Sequence, residues 1–196
     1  MVFTQANIIA MTVVTAGWVA VMLQGILHKR SLPPETGVPA RRDPRSYLFM
    51  LAQSLAIAIV YVGSPRVSSE FGNAPSLIEA SAVTLLVAGA LLLNMSALKT
   101  LGANFAIIAR VREGGTLVTQ GPYSFIRNPI YLCYFLLLIA AALAFGHPLN
   151  LLIAAPLYLV GTALRIAPEE RLLGERFGAE YATYTARVKR LVPYIW

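Results

Sequence analysis

Residues Leu117 to Tyr131 read L-V-T-Q-G-P-Y-S-F-I-R-N-P-I-Y, and the fold turns on them. Most of what precedes them is apolar; here polar groups gather at the mouth of a further hydrophobic helix. Gly121-Pro122 is a turn dipeptide. Asn128 precedes Pro129, whose ring drives it out of the α region. Asn is a favoured N-cap and Pro is favoured at the first helical position. Asn128-Pro129 therefore predicts the opening of an apolar helix over Ile130 to Phe145. The free N–H groups of its first turn, with Arg127 beside them, make a site for an anion. A plainer reading of the same residues is a helix cap next to an Arg anchored at a membrane surface.

The chain around this stretch has 196 residues, 57% of them hydrophobic and 13% charged, with a mean hydropathy of +0.65. A soluble domain carries roughly 25% charged residues. The expectation is an all-α integral membrane bundle, one domain over residues 1–196, with about five transmembrane helices. Cys133 is the single cysteine, inside an apolar run, so no internal disulfide is possible. It reads as a small buried residue rather than a nucleophile. The first apolar run has no basic segment before it and no small-residue cleavage site after it, which favours a membrane helix over a signal peptide. No internal repeat is evident.

Five spans are expected, over residues 6–27, 47–63, 76–98, 129–145 and 149–166. The first is followed by a polar loop, His28 to Ser46, where Pro33-Pro34 and Pro39 oppose a sustained helix. Trp18 reads as packing. Ser64 to Pro75 is turn-rich. Glu79 and Asn94, near the two ends of the third span, read as interfacial, with a polar cavity as the alternative for Asn94. Lys99 to Arg127 leaves the apolar regime and is broken by Gly114-Gly115. Gly146-His147-Pro148 is short enough to force an antiparallel hairpin between the last two spans, with His147 at its tip. Pro156 predicts a kink in the fifth span.

The basic residues orient these spans. Fifteen of the sixteen Lys and Arg fall on one side of the five-span alternation and only Arg66 on the other. By the positive-inside rule the N-terminus is outside, and the C-terminus and the Leu117–Tyr131 stretch are cytoplasmic.

The tail from Arg165 to Tyr184 reads R-I-A-P-E-E-R-L-L-G-E-R-F-G-A-E-Y-A-T-Y. Pro168 suits a helical first turn, and Glu169 and Glu170 suit its positive end. The fifth span either continues through Pro168 or breaks there. Leu172, Leu173 and Phe177 form an apolar face, and Gly178 can end the helix. Tyr181, Tyr184 and Val188 share a face of a second short helix, and Lys189 and Arg190 read as membrane-surface charge. The plain reading is a solvated juxtamembrane amphipathic helix. Because the hairpin is antiparallel, however, Arg127, Asn128, Arg165, Glu169 and Glu170 can converge on one mouth. Two Arg and two Glu at the rim of an apolar bundle suit a zwitterionic, partly cationic ligand.

The pattern L-V-x-x-G-P-Y-x-x-x-R-N-P-x-Y, followed by R-x-x-x-E-E-x-x-L-x-x-x-F-G-x-E-Y-x-x-Y, resembles the C-terminal half of the isoprenylcysteine carboxyl methyltransferase family. More widely it is similar to the membrane methyltransferases that include phospholipid N-methyltransferases. The likeness covers about residues 101–193 and leaves the first two spans without a motif. It implies a helical transmembrane enzyme that uses S-adenosylmethionine. It further implies that the cofactor is held by Leu117, Val118, Tyr123, the segment Arg127, Asn128, Pro129, Ile130 and Tyr131, and Glu169, with Glu170 beside it. Arg165 matches a residue placed at the reacting carboxylate, which makes Arg165 and Glu169 the candidate catalytic pair.

Asn128 stands where the family has His. It keeps hydrogen-bonding capacity but does not titrate near neutral pH. Methyl transfer to a carboxylate needs no base, whereas transfer to an ammonium group does, so the substitution leans towards an acidic acceptor entering from the bilayer. The alternatives are a phospholipid or small-molecule N- or S-methyltransferase, an NADPH-dependent membrane reductase, and a non-catalytic membrane binding protein. No G-x-G-x-x-G follows a strand and no Cys/His cluster has zinc spacing. Neither a nucleic-acid partner nor a metal is expected.

Overall fold

In the computed structural model of the chain, the described residues are 8–32, 45–63, 74–104 and 116–191. The prolines of the first loop, Arg41, Arg42, Arg66, Arg110, Arg112, Glu113 and Gly114-Gly115 lie outside them. Five α-helices are present among the described residues: α1 (Ile8–Ser31), α2 (Arg45–Val60), α3 (Ala74–Leu101), α4 (Pro129–Ala144) and α5 (Leu151–Arg187). Single 3-10 turns sit at Gly102–Asn104, Gly121–Ser124 and Pro148–Asn150. The described residues hold no strand, and the backbone pairs outside helices as an isolated parallel bridge between Ile126 and Lys189.

Length separates the helices into two groups. α1, α3 and α5 are long and apolar enough to cross a membrane, whereas α4 and the apolar part of α2, Phe49–Val60, are shorter. Sixteen residues at ~1.5 Å each reach about 24 Å, short of a ~30 Å hydrocarbon layer. Three membrane-spanning helices are thus clear, and α2 and α4, the other two of the five expected, are shorter apolar helices.

α4 is the hub, packed against α3, α1, α5 and α2. Its sequence P-I-Y-L-C-Y-F-L-L-L-I-A-A-A-L-A is apolar all round, which suits a helix buried on every side. Ala140, Ala141, Ala142 and Ala144 are fully buried, small enough to admit neighbouring helices closely. α1 closes on α3 at Gly17, where a Cβ would lie 2.6 Å from Val87 Cγ1. The outward faces are apolar too: Val19, Met22, Leu51, Leu85, Leu92, Leu152 and Ile153 are exposed. A continuous apolar exterior is unlike a water-soluble surface and matches lipid.

Of the buried polar groups in the bundle, Asn94 has a side-chain partner whereas Glu79 Oε1 has none among the described residues. Glu79 and Asn94, expected at interfaces, are buried, 7% and 2% exposed. Asn94 Nδ2 donates to Gln24 Oε1 at 2.8 Å across α1 and α3. An unpaired amide in hydrocarbon is costly, so the pair stays inside rather than at the rim.

The tail resolves the alternative at Pro168. α5 runs through both Pro156 and Pro168 without leaving helical geometry and breaks at Gly178, with φ +48° and ψ −118°. A proline removes one backbone donor, a loss that neighbouring helices and side chains absorb in a bundle. Beyond Gly178 the helix doubles back, and Tyr181, Tyr184 and Val188 pack with Leu117, Leu173 and Phe177. The face expected for Tyr181, Tyr184 and Val188 is the one that is buried.

Candidate active site

The site is built where the start of α4 meets the end of the apolar part of α5. Residues 116–119 approach it outside helix and strand, with Leu117 and Val118 half-buried. No backbone hydrogen bond among the described residues ties this stretch to the rest. Gly121 then turns the chain with φ +58°, and a Cβ there would sit 2.7 Å from Thr100 Oγ1 of α3. Both the left-handed backbone and the close approach require glycine. The turn buries Tyr123, whose carbonyl accepts a 2.6 Å hydrogen bond from Tyr184 Oη. Burial pushes the Tyr123 phenol well above its ordinary pKa, and nearby Tyr184 and Glu169 push it further. Tyr123 therefore stays a neutral phenol close to Glu169.

The next residues are strapped to the returning tail. Arg127 N–H donates to Lys189 O at 2.9 Å and Asn128 N–H to Arg190 O at 3.1 Å. Asn128 occupies the N-cap position of α4 with φ −129°, and Pro129 is at the first helical position. The expected side-chain cap is absent: Asn128 Nδ2 donates instead to Arg190 O at 3.1 Å. The carboxamide is spent on holding the tail, and the first turn of α4 keeps its uncapped N–H groups and their partial positive charge.

Arg127 and Glu170 come together as an ion pair. Arg127 Nε and Nη2 reach Glu170 Oε1 at 2.9 and 2.8 Å. Arg127 Nη1 donates to Val188 O at 2.6 Å and to Thr185 O at 3.2 Å. Arg190 Nε and Nη2 take the other oxygen, Glu170 Oε2, at 2.8 and 2.7 Å. The carboxylate that meets Arg127 here is the chain's own Glu170. Arg190, expected as membrane-surface charge, is the third member of an Arg–Glu–Arg cluster that clamps the segment before α4, α5 and the tail together. Lys189 takes part through its backbone.

One residue earlier on α5, a second cluster faces α4. Tyr131 Oη donates to Glu169 Oε1 at 3.2 Å and accepts from Arg165 Nε at 2.9 Å. Arg165 Nε lies 3.8 Å from Glu169 Oε1, the two side chains being 11% and 26% exposed. Because α5 continues through Pro168, Arg165 and Glu169 share a face at i and i+4. Tyr158, about two turns before Arg165, donates from its hydroxyl to Tyr131 O at 2.8 Å. Glu175 and Arg171, by contrast, pair with each other in solvent, 57% and 81% exposed. Solvated charge describes that pair and not Glu169 or Glu170.

The residues singled out in sequence thus separate by position. Tyr131, Arg165 and Glu169 form one cluster beside Tyr123; Arg127, Asn128 and Glu170 form the clamp behind it; Leu117 and Val118 line the approach. Arg190, Tyr158 and Tyr184 were not legible as site residues. Arg190 is 20 residues from Glu170, a distance bridged only by the doubled-back tail, and Tyr158 lies in an apolar run that periodicity assigns to packing. Among the described residues no group of His, Cys, Asp and Glu could hold a metal ion.

A profile of the phospholipid methyltransferase family matches residues 79–180, from the start of α3 to the doubled-back tail. The protein-S-isoprenylcysteine O-methyltransferase B of Arabidopsis thaliana is 29% identical over 115 residues, 58% of this chain and 58% of that one. The protein-S-isoprenylcysteine O-methyltransferase of Saccharomyces cerevisiae is 35% identical over 101 residues, 50% of this chain and 42% of that one. The chain spans about half the length of these curated relatives. The family match covers just over half of the chain and contains the Tyr131–Arg165–Glu169 cluster and the Arg127–Glu170 pair, but not Arg190; the chain belongs to the phospholipid methyltransferase family.

Proposed function

We propose that this protein transfers a methyl group from S-adenosylmethionine to a lipophilic acceptor, and that the accepting group is a carboxylate. The family associates the chain with S-adenosylmethionine-dependent methyltransferases. The observation that carries the finer reading is the Tyr131–Arg165–Glu169 cluster, placed where the apolar part of α5 ends.

The donor set suits the cofactor. The uncapped first turn of α4, opened by Pro129, presents the N–H groups of Ile130 and Tyr131 to a carboxylate. Glu169 accepts from an ammonium or a ribose hydroxyl. The Leu117–Val118 backbone, unpaired among the described residues, and the neutral Tyr123 offer hydrogen-bonding and apolar surface to a base. Arg127, Asn128 and Glu170 act by fixing the segments that carry these groups. When bound, the cofactor supplies an electrophilic methyl on a sulfonium centre.

Arg165 orients the acceptor carboxylate, one oxygen of which forms the new C–O bond as the S–C bond breaks. The product ester is neutral and the leaving thioether is neutral, so no proton moves. Asn128, fastened to Arg190 O, supplies no base and none is needed. The protein's share is positioning and exclusion of water.

A second reading, methylation of a phospholipid amine, draws on the family's description. Glu169 would then be the base. Incubating membranes with methyl-labelled S-adenosylmethionine separates the two: an ester releases its label as methanol in alkali, and an N-methyl product does not. Label in neither form sinks both readings.

In the membrane, all five helices are read as spans of one domain, with α2 and α4 extended by their flanking turns, the N-terminus outside and the site cytoplasmic. A helix shorter than the bilayer is accommodated by local thinning at modest cost.

A further inference from the structure

α2 carries no motif, yet it packs chiefly on α5, the helix that bears the site. Where they cross, Gly161 lets the backbones close: a Cβ there would lie 3.1 Å from Ala52 Cβ and 3.4 Å from both Gln53 Cγ and Phe49 O. Gln53 is thereby held by its stem. Its head is held as well, since Gln53 Nε2 donates to Thr162 Oγ1 at 2.8 Å. Thr162 is fully buried, so the pair satisfies a hydroxyl that hydrocarbon would penalise.

The pairing leaves half of the amide unused. Gln53 is only partly buried, and its Oε1 and second Nε2 hydrogen have no partner among the described residues. It lies eight residues into the sixteen-residue α2, near the middle of a helix whose outer face is apolar. An amide oxygen at that depth needs a partner that water does not provide.

Its position says what that partner is. Tyr158, Thr162, Arg165 and Glu169 are spaced by four, three and four residues, one stripe along α5. Thr162 is therefore about 4.5 Å along the helix from Arg165. That is the span of a few covalent bonds, on the lipid side of the proposed carboxylate site.

We infer that Gln53 is a specificity-determining residue that hydrogen-bonds a polar linkage between the acceptor's carboxylate and its apolar tail. The inference rests on Arg165 orienting the acceptor. Gln53 acts as a positioning residue: the acceptors it favours carry an amide within a few bonds of the carboxylate, and a plain fatty acid leaves its amide unpaired.

The test uses the full chain in lipid nanodiscs and two probes of similar tail length, an N-acylated S-prenyl cysteine and a plain fatty acid. Binding of each is titrated in the presence of S-adenosylhomocysteine. The wild type is expected to bind the cysteine probe roughly five- to tenfold more tightly, the worth of one good hydrogen bond. The double variant Gln53→Leu/Thr162→Val removes both partners of the inter-helix bond and leaves no buried hydroxyl unpaired. It is expected to keep its thermal midpoint and cofactor affinity but to bind the two probes alike. Equal binding by the wild type, or a preference kept by the double variant, overturns the assignment of Gln53. A wild type that shows the preference but transfers no label sinks the methyl-transfer reading and leaves Gln53 as a binding residue.

Discussion

Glu169 and Glu170 are neighbours in sequence with opposite commitments. Glu170 has both oxygens filled by guanidinium groups, while Glu169 holds one phenol and a more distant Arg165 and keeps a quarter of its side chain open. Glu169→Gln is therefore expected to weaken binding of S-adenosylmethionine by about 1.5–3 kcal/mol, the range for hydrogen bonds to a charged group. Glu175→Gln, in the solvated pair with Arg171, should leave the titration unchanged. Equal responses in calorimetry would return Glu169 to the solvated surface. Arg165 separates from Glu169 by the quantity it moves. Arg165→Ala is expected to leave cofactor affinity within about threefold, under 1 kcal/mol, and to lower turnover strongly. Arg165→Lys should rescue poorly, because an ammonium lacks the planar fork that grips a carboxylate. Normal turnover by the Lys variant would make the residue a membrane anchor.

At the scale of elements, α5 does two jobs on one continuous axis. Its apolar part packs in the bundle, and the stretch from Arg165 to Glu170, on both sides of Pro168, carries the candidate site before the helix folds back at Gly178. Gly178 has ψ −118° at positive φ, and a Cβ there would meet nothing within 4 Å. Gly178→Ala therefore isolates backbone strain, and a loss of about 1–3 kcal/mol is expected. The clamp that the fold-back creates is more sensitive. Glu170→Ala strands Arg127, 11% exposed, without its carboxylate, and breaking a buried pair costs about 3–5 kcal/mol. Denaturant unfolding in detergent measures both, and a Glu170→Ala protein as stable as the wild type would demote the clamp to a surface contact. These elements mark the limit of what the sequence reveals. Pro129 at the first helical position and the Gly178 break follow from local chemistry and were readable. The diversion of Asn128 from cap to tail was not, because Arg190 reaches it only through a return of the chain that no local pattern encodes. The pairings of Gln24 with Asn94 and of Gln53 with Thr162 were hidden for the same reason: each joins residues on helices far apart in sequence.

At the scale of the whole molecule, the arrangement of charge decides which end of the bundle meets the cytoplasm. Composition made the membrane legible, and the apolar exterior agrees with it. The number of spans was harder to read, since hydropathy does not register that α2 and α4 have 16 residues each. Five crossings are nevertheless what the charge distribution favours: omitting either short helix would put basic clusters on both sides. The hairpin tip at 146–150 supports this, with Leu149 exposed and His147 Nδ1 held by Val60 O at 3.0 Å. The tip and the end of α2 thus lie at one level, opposite the site. Single-cysteine labelling of intact cells tests the arrangement cleanly, because native Cys133 is fully buried. Leu149→Cys at the tip and Ser69→Cys in the second loop, a position outside the described residues, should react with a membrane-impermeant maleimide. Ser31→Cys at the end of α1 should react only after permeabilisation. The reverse pattern would invert the molecule. Labelling of Ser31→Cys and Leu149→Cys from the same side would remove one of α2 and α4 from the membrane and leave four spans, whereas Ser69→Cys on the side of Ser31→Cys, with Leu149→Cys opposite, would remove both and leave three.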